Sequence, residues 1–280
     1  MSGSIPATGA DAPAKLTWSL RVLGSRPDGF HELEALTTTV SDPHDVVRVE
    51  ASDHGISLAV TGADRDVPVD HTNLVWRAAA AAGLEVAITL EKRIPAGGGL
   101  GGGSSDAAAV LRELRDRFGL DPARADAIAA ELGSDVPMCL RGGTAWMRGR
   151  GERVERISGI PPTPVVIAAP PLHSSTPAVY RAWDDLGGPR AARAVAAPPA
   201  LAGHTSALLN DLEPAAEAVE PRLVEFRRAF QAAAGREPFL AGSGSAYCVW
   251  LDDPERARAT ATQVERELGV ATFAGAAGVV

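Results

Sequence analysis

Ile94-Pro95-Ala96-Gly97-Gly98-Gly99-Leu100-Gly101-Gly102-Gly103-Ser104-Ser105-Asp106 is the stretch from which the fold is read. Six of the seven residues from Gly97 to Gly103 are glycine. Such a run loses more chain entropy on ordering than any other composition, so a folded protein keeps it where backbone must approach something closely or adopt φ > 0. Ahead of it Val86, Ile88 and Leu90 alternate with polar or small residues, which reads as a strand. Behind it Ala107-Ala108-Ala109-Val110-Leu111 is a strong helix former. Strand, glycine loop and helix start together aim backbone N–H groups and the positive end of a helix at an anion. The stretch reads as a phosphate cradle. A Walker loop would need Lys directly after the last glycine; Ser104 stands there and no Lys is nearby. A dinucleotide loop matches in letters as Gly97-x-Gly99-x-x-Gly102, but so many glycines satisfy almost any glycine spacing, and no βαβ unit with a terminal acid follows. A flexible linker is the bland alternative, and linkers rarely sit between a clean strand and a clean helix.

The chain has 280 residues, 45% of them hydrophobic, enough for one large domain or two ordinary ones. A net charge of −8 argues against a broad nucleic-acid surface but permits one basic pocket for a charged metabolite. Two cysteines, Cys139 and Cys248, in apolar settings read as reduced buried thiols of a cytoplasmic protein. The six His are scattered without HExxH or CxxC, so no metal site is expected. Met1 to Pro13 reads as a polar tail rather than a signal peptide, and no apolar run approaches the ~20 residues of a membrane helix.

Lys15 to Val22 alternates at period two, an early strand with Lys15 at its start. Pro27-Asp28-Gly29 is turn chemistry that presents Phe30 and His31 at its exit. On spacing alone, an aromatic followed by His in a loop reads either as a functional pair or as a Phe30 that covers a core edge beside a solvated His31. Val46 to Glu50 and Ile56 to Val60 read as strands joined by Asp53-His54-Gly55. Asp64 to Asp70 is loop; Thr72 or Asn73 caps a helix to Ala82, stopped by Gly83. The helix after the glycine loop runs to Phe118, and Asp121-Pro122 opens another to Leu132. Asp135 then sits in a turn before Pro137, where a lone Asp is as readily a cap as a reactive group. Ala145 to Met147 and Val165 to Ala169 are strands. The joint Pro161-Pro162-Thr163-Pro164 between them suggests domains of residues 1–160 and 161–280. Helices are expected from Val179, over Ala215 to Ala234 and over Pro254 to Leu268; Gly187 to Ala202 reads as the most mobile part. Leu240 to Ser245 is a second glycine turn leading into the strand Ala246 to Leu251.

Three stretches together resemble the GHMP kinases: the Lys15 strand, Pro95 to Ser105, and Leu240 to Ser245. Pro13-Ala14-Lys15-Leu16, Gly24-x-Arg26-x-Asp28-Gly29-Phe30-His31 and Gly133-x-Asp135-Val136-Pro137 narrow this to the branch whose acceptor is a cytidine-diphosphate-linked methylerythritol, in non-mevalonate isoprenoid synthesis. The motifs span Ala14 to Ser245, most of the chain. The resemblance implies an α+β, two-domain GHMP kinase fold with the active site in the interdomain cleft. It implies ATP with Mg²⁺, a small cytidyl substrate, no nucleic acid and no membrane, and leaves a homodimer open. It makes Asp135 the base that takes the acceptor proton and Lys15 the cation that keeps Asp135 charged. ATP would be held by Pro95, Ala96, Gly97, Gly98, Gly99, Leu100, Gly101, Gly102, Gly103, Ser104 and Ser105. By the same resemblance His31 would hydrogen-bond the cytosine, with Phe30 and Tyr180 on its faces, while Thr176, Gly242 and Ser243 fall on substrate-side stretches, as do Asn210 and Asp211 with looser roles. Thr17 departs from the family's usual Asn, Phe30 from its Tyr and Ser134 from its Ala; none removes a catalytic group. Three other readings stay open: a sister kinase of homoserine or mevalonate type, a non-catalytic nucleotide sensor, and a dinucleotide oxidoreductase.

Overall fold

The computed structural model describes residues 9–62 and 67–279. The tail expected over residues 1–13 lies outside the described residues up to residue 8, while residues 10–13 of it are strand with Ala12 fully buried; the loop reading of 64–66 also lies outside the described residues. The first half of the chain carries β1 (Ala10–Ser25), β2 (His31–Ala51), β3 (Ser57–Thr61), α1 (Leu74–Ala82), β4 (Val86–Glu91), α2 (Gly102–Phe118), α3 (Pro122–Leu132), α4 (Val136–Arg141), β5 (Thr144–Gly149) and β6 (Arg153–Ile157). The second half carries β7 (Thr163–Ala169), α5 (Thr176–Asp185), β8 (Val195–Ala196), β9 (Ala207–Leu208), α6 (Glu213–Val219), α7 (Arg222–Ala234), β10 (Phe239–Leu240), β11 (Tyr247–Trp250), α8 (Pro254–Leu268) and β12 (Ala271–Ala277). The residues form two compact units interleaved along the chain. The first takes Met1–Pro13, His44–Ala96 and Gly102–Leu140; the second takes Ala14–Pro43, Gly97–Gly101 and Arg141–Val280. The single division expected at 160/161 differs from this. The long strands β1 and β2 each serve both units, so the chain changes unit within a strand instead of at a proline joint.

In the first unit the C-terminal half of β2 pairs antiparallel with β4, from Val46↔Glu91 to Ala51↔Val86. β3 pairs parallel with β4 on its other side. The expected hairpin of β2 with β3 is thus replaced by the order β2-β4-β3. Burial explains it: Val86, Ile88 and Leu90 of β4 are all buried, whereas no residue of β3 is fully buried, which suits β3 to an edge. α1 begins at the Asn73 cap, whose side chain accepts from Val75 N, and ends at Gly83 in the left-handed region. Its Ala78, Ala79 and Ala82 join Ala107, Ala108 and Leu111 of α2 in one core with Val47, Val49, Ile88 and Leu90. Small side chains on both helices permit that close approach.

In the second unit β7 lies at the middle, between β11 and β12, and β12 also reaches β2. Its run Val165-Val166-Ile167-Ala168-Ala169 is buried throughout, as a central strand should be. β12 has no strand signal in its letters, Ala271-Thr272-Phe273-Ala274-Gly275-Ala276-Ala277. Tertiary pairing makes it a strand, and a Cβ on Gly275 would come within 2.5 Å of Asp42 O. The single helix expected over Ala215 to Ala234 is two, because Pro221 forces Glu220 out of the helical region (φ −134°, ψ 86°). Residues 187–202 are tied down rather than loose. Trp183 Nε1 donates to Pro189 O, Arg193 pairs with Glu213 and Glu237, and Leu201 is fully buried.

Candidate active site

The glycine loop carries the first set of groups. In the second unit, Gly97, Gly99 and Gly101 have φ of +77°, +76° and +68°. Leu100 O accepts from Lys15 N at 2.8 Å and Gly98 O accepts from Ala246 N at 3.1 Å. The loop's carbonyls are therefore turned to the protein. Among the described residues no hydrogen bond takes up the N–H of Gly97, Gly99, Leu100 or Gly101, while Gly98 N turns back toward Pro95 O across the Ala96-Gly97 turn. Successive bare N–H groups form an anion-binding nest. The stem of buried Lys15 runs along this loop: a Cβ on Gly101 would lie 3.1 Å from Lys15 Cβ, and one on Gly242 would lie 3.9 Å from Lys15 Nζ. The ammonium is thus set at the Gly242–Gly244 turn. That turn is braced by Asn210, whose Nδ2 donates to Leu240 O and Gly242 O, and by Thr176 Oγ1 at 2.8 Å from Ser243 Oγ. Asp211 is structural. Buried, it accepts from Val22 N and Ala191 N and pairs with Arg21 and Arg190.

Gly99 is where backbone approaches backbone most tightly. A Cβ there would lie 2.2 Å from Ala241 O and 2.9 Å from Gly244 O. Gly119 has a similar φ of +74° but meets nothing within 4 Å. Gly119→Ala is expected to cost about 1 kcal/mol of left-handed strain. Gly99→Ala should cost about 1–3 kcal/mol more through overlap with fixed carbonyls. Urea titration of both variants checks this; equal losses would mean that the loop yields freely.

The start of α2 lies in the first unit. Gly102 and Gly103 open the helix, Ser104 is half-buried, and Ser105 is buried with its Oγ donating to Pro13 O at 2.7 Å. Ser104 is therefore the more accessible of the two serines. No lysine follows the glycines, yet one sits beneath them: Lys92 Nζ is 3.2 Å from the Cβ position of Gly102. Lys92 pairs with Asp45 and, at 2.7 Å, with Asp106. Burial of this group and its placement ten residues upstream hid it from sequence reading. Asp135 immediately precedes α4, and its carbonyl accepts from Cys139 N at 3.1 Å. It belongs to the first unit and Lys15 to the second.

Around the Pro27-Asp28-Gly29 turn, Phe30 is 48% exposed and Arg150 lies over its ring at 5.1 Å. His31, at the start of β2, stacks with Tyr180 and bonds Asp184 at 2.9 Å. Arg150, Trp183 and Asp184 are neighbours that the sequence offers no signal for. Among the described residues no group of three or more His, Cys, Asp and Glu is clustered to hold a metal ion.

Comparison with known proteins bears on these pieces. Residues 73–143 match the model of the GHMP kinases N terminal domain. The chain is 41% identical over 269 residues to the 4-diphosphocytidyl-2-C-methyl-D-erythritol kinase of Pelotomaculum thermopropionicum, covering 91% of this chain and 93% of that one. It is 41% identical over 262 residues to the kinase of the same name from Cereibacter sphaeroides, at 91% and 93% coverage. A crystal structure of 4-(cytidine 5'-diphospho)-2C-methyl-D-erythritol kinase superposes with a TM-score of 0.80 at 35% identity, covering 98% of this chain and all of that one. Homoserine kinase from Cytophaga hutchinsonii shares the fold at 19% identity and a TM-score of 0.66, over 98% and 96% of the two chains.

Proposed function

The chain belongs to the 4-diphosphocytidyl-2-C-methyl-D-erythritol kinases, within the GHMP kinases, and from that premise we propose that it transfers the γ-phosphoryl group of ATP to the 2-hydroxyl of 4-diphosphocytidyl-2-C-methyl-D-erythritol. The observation that carries the reading is the set of bare N–H groups of Gly97, Gly99, Leu100 and Gly101 alongside the buried stem of Lys15. Phosphoryl transfer needs little covalent help from protein; it needs alignment and compensation of charge on the phosphate oxygens.

The roles follow from that. Residues 95–105, Pro95 through Ser105, hold the triphosphate, with the bare amides on its oxygens and the hydroxyl of Ser104 added at the helix start. Mg²⁺ bound with ATP would supply further compensation of charge on the phosphates. Asp135 accepts the proton of the 2-hydroxyl as its oxygen bonds the γ-phosphorus and the bond to the bridging oxygen breaks, releasing ADP. Lys15 supplies the cation that keeps a carboxylate ionised and stabilises the transferred group. His31 bonds the cytosine and Phe30 and Tyr180 give aromatic surface for it. Thr176 and Ser243 shape the wall with Gly242. The enzyme works in the cytoplasm; among the described residues no helix is long and apolar enough to cross a membrane.

The homoserine or mevalonate alternative is not favoured, since those kinases resemble the chain in fold alone. Purified protein with ATP and the cytidyl substrate should give ADP and a new phosphomonoester by ³¹P NMR. Turnover of homoserine or mevalonate in its place would refute the assignment.

A further inference from the structure

One face of α5 surrounds the imidazole of His31 with three side chains spaced at i, i+3 and i+4. Tyr180 stacks on the ring with 4.7 Å between centroids and 29° between planes. Trp183 meets it edge-on at 5.5 Å and 89°. Asp184 Oδ1 lies 2.9 Å from Nε2. Two of the supports are themselves held: Trp183 Nε1 donates to Pro189 O at 3.0 Å, and Ser25 Oγ donates to Asp184 Oδ1 at 3.2 Å. The His31 side chain is only 10% exposed. Orientation of the ring is therefore set, and the tautomer with it. A carboxylate only accepts, so Nε2 carries the hydrogen, and in the neutral form of the ring Nδ1 is the acceptor. Among the described residues no donor engages Nδ1.

Asp184 also stands where a helix does not favour it. It lies in the last turn of α5, beside Asp185, with no basic residue in that turn. A negative charge there opposes the helix dipole. The carboxylate is disfavoured by its own helix and is held in place by a contact made outside it.

Building on the cytidyl reading of this site, we propose that Asp184 is a specificity-determining positioning residue: by holding Nε2–H of His31 it makes Nδ1 an acceptor, so that the pocket reads an amino group on the pyrimidine rather than a carbonyl. Cytosine presents a 4-amino donor where uracil presents an oxygen. An acceptor nitrogen bonds the first and meets a lone pair on the second. A polar group left unpaired against the wrong base discriminates far better than a difference in apolar fit.

Two measurements test this. ¹⁵N NMR of the imidazole at about pH 8 reads the tautomer with no substrate present. The wild-type ring should show Nε2 protonated and Nδ1 bare; in Asp184→Asn, whose amide can donate, the hydrogen should move toward Nδ1. Kinetics with the cytidyl substrate and its uridyl analogue read the consequence. The wild-type preference for cytidyl should fall by about 10-fold or more in Asp184→Asn. The change should lie in KM for the pyrimidine substrate rather than in kcat, and Asp184→Glu should recover much of it. A wild-type ring protonated on Nδ1, or an Asp184→Asn enzyme with its base preference intact, would overturn the proposal. Turnover of neither nucleotide by the wild type would count against the kinase reading, and the tautomer signal would still decide for or against Asp184.

Discussion

Asp135→Asn lowers kcat for phosphoryl transfer by roughly 10²- to 10⁴-fold, the range for a lost acid–base group, while ATP still raises the melting temperature. The choice of Asn matters. Asp135 directly precedes α4, and its carbonyl closes the first turn of that helix on Cys139 N. A residue in that position serves readily as a cap. Asn and Asp cap helices equally well, whereas Ala at a cap costs about 0.5–2 kcal/mol. Asn therefore keeps any capping role and removes only the capacity to take a proton. A base loses its kcat in this variant, and a cap loses nothing. Asp135→Ala completes the comparison: it should match Asn in kcat and fall below it in stability. If Asp135→Asn keeps kcat within a few-fold of wild type, Asp135 is a cap and the proton goes elsewhere.

What could be read from the sequence divides along a physical line. Elements stabilised by neighbours in sequence were legible. The Asn73 and Asp121 caps, the Gly83 stop and the Pro27-Asp28-Gly29 turn each hydrogen-bond within a few residues, and each stands where local chemistry puts it. The glycine loop was legible as well, since positive φ at Gly97, Gly99 and Gly101 leaves few other residues able to serve. Elements made by distant partners were not. β12 is a strand because β7 and β2 pair with it, and β3 is an edge because β4 takes the central place. Among the candidate site residues, Lys15, His31 and Tyr180 sit in recognisable motifs or next to them. Asp184 and Trp183 matter only once α5 is laid against the start of β2. Lys92 was invisible for a third reason: the sequence shows a charged residue at the end of a strand and gives no hint that 92% of its side-chain surface is covered.

Lys92→Met should cost about 3–5 kcal/mol in urea unfolding, the loss expected when one member of a buried ion cluster is removed. The size follows from what stays behind. Asp45 is fully buried and Asp106 is 3% exposed, and Lys92 pairs with both. Asp45 has other partners, since its Oδ1 accepts from Arg93 N and Ile94 N. Asp106 is less well served: its Oδ1 is buried without a hydrogen bond, and its other neighbour is the Asp45 carboxyl, which favours the protonated form. Burial pushes the Asp106 carboxyl up to about 8, against the opposing pull of Lys92. Burial lowers the affinity of Lys92 for its proton, but Asp106 and Asp45 outweigh it and the net shift is upward. For a carboxyl raised in the native state, the unfolded chain releases its proton first, near pH 4, so the Asp106 contribution to stability falls as pH rises from about 4 to about 8. Losing Lys92 removes the one cation that limits this fall, so Lys92→Met should be nearest to wild type in acid and furthest from it above about pH 8. Asp106→Asn in the same chain should return part of the loss, because an uncharged amide carries less desolvation penalty than an unpaired carboxylate, and the double variant should be flatter in pH than Lys92→Met alone. The consequence reaches the nucleotide. Lys92 Nζ lies beneath Gly102, where α2 starts and its N–H groups begin, so Lys92→Met should also reduce the rise in melting temperature given by ATP. A Lys92→Met protein that unfolds within about 1 kcal/mol of wild type and shifts fully with ATP would mean that water reaches the cluster, as at a surface ion pair.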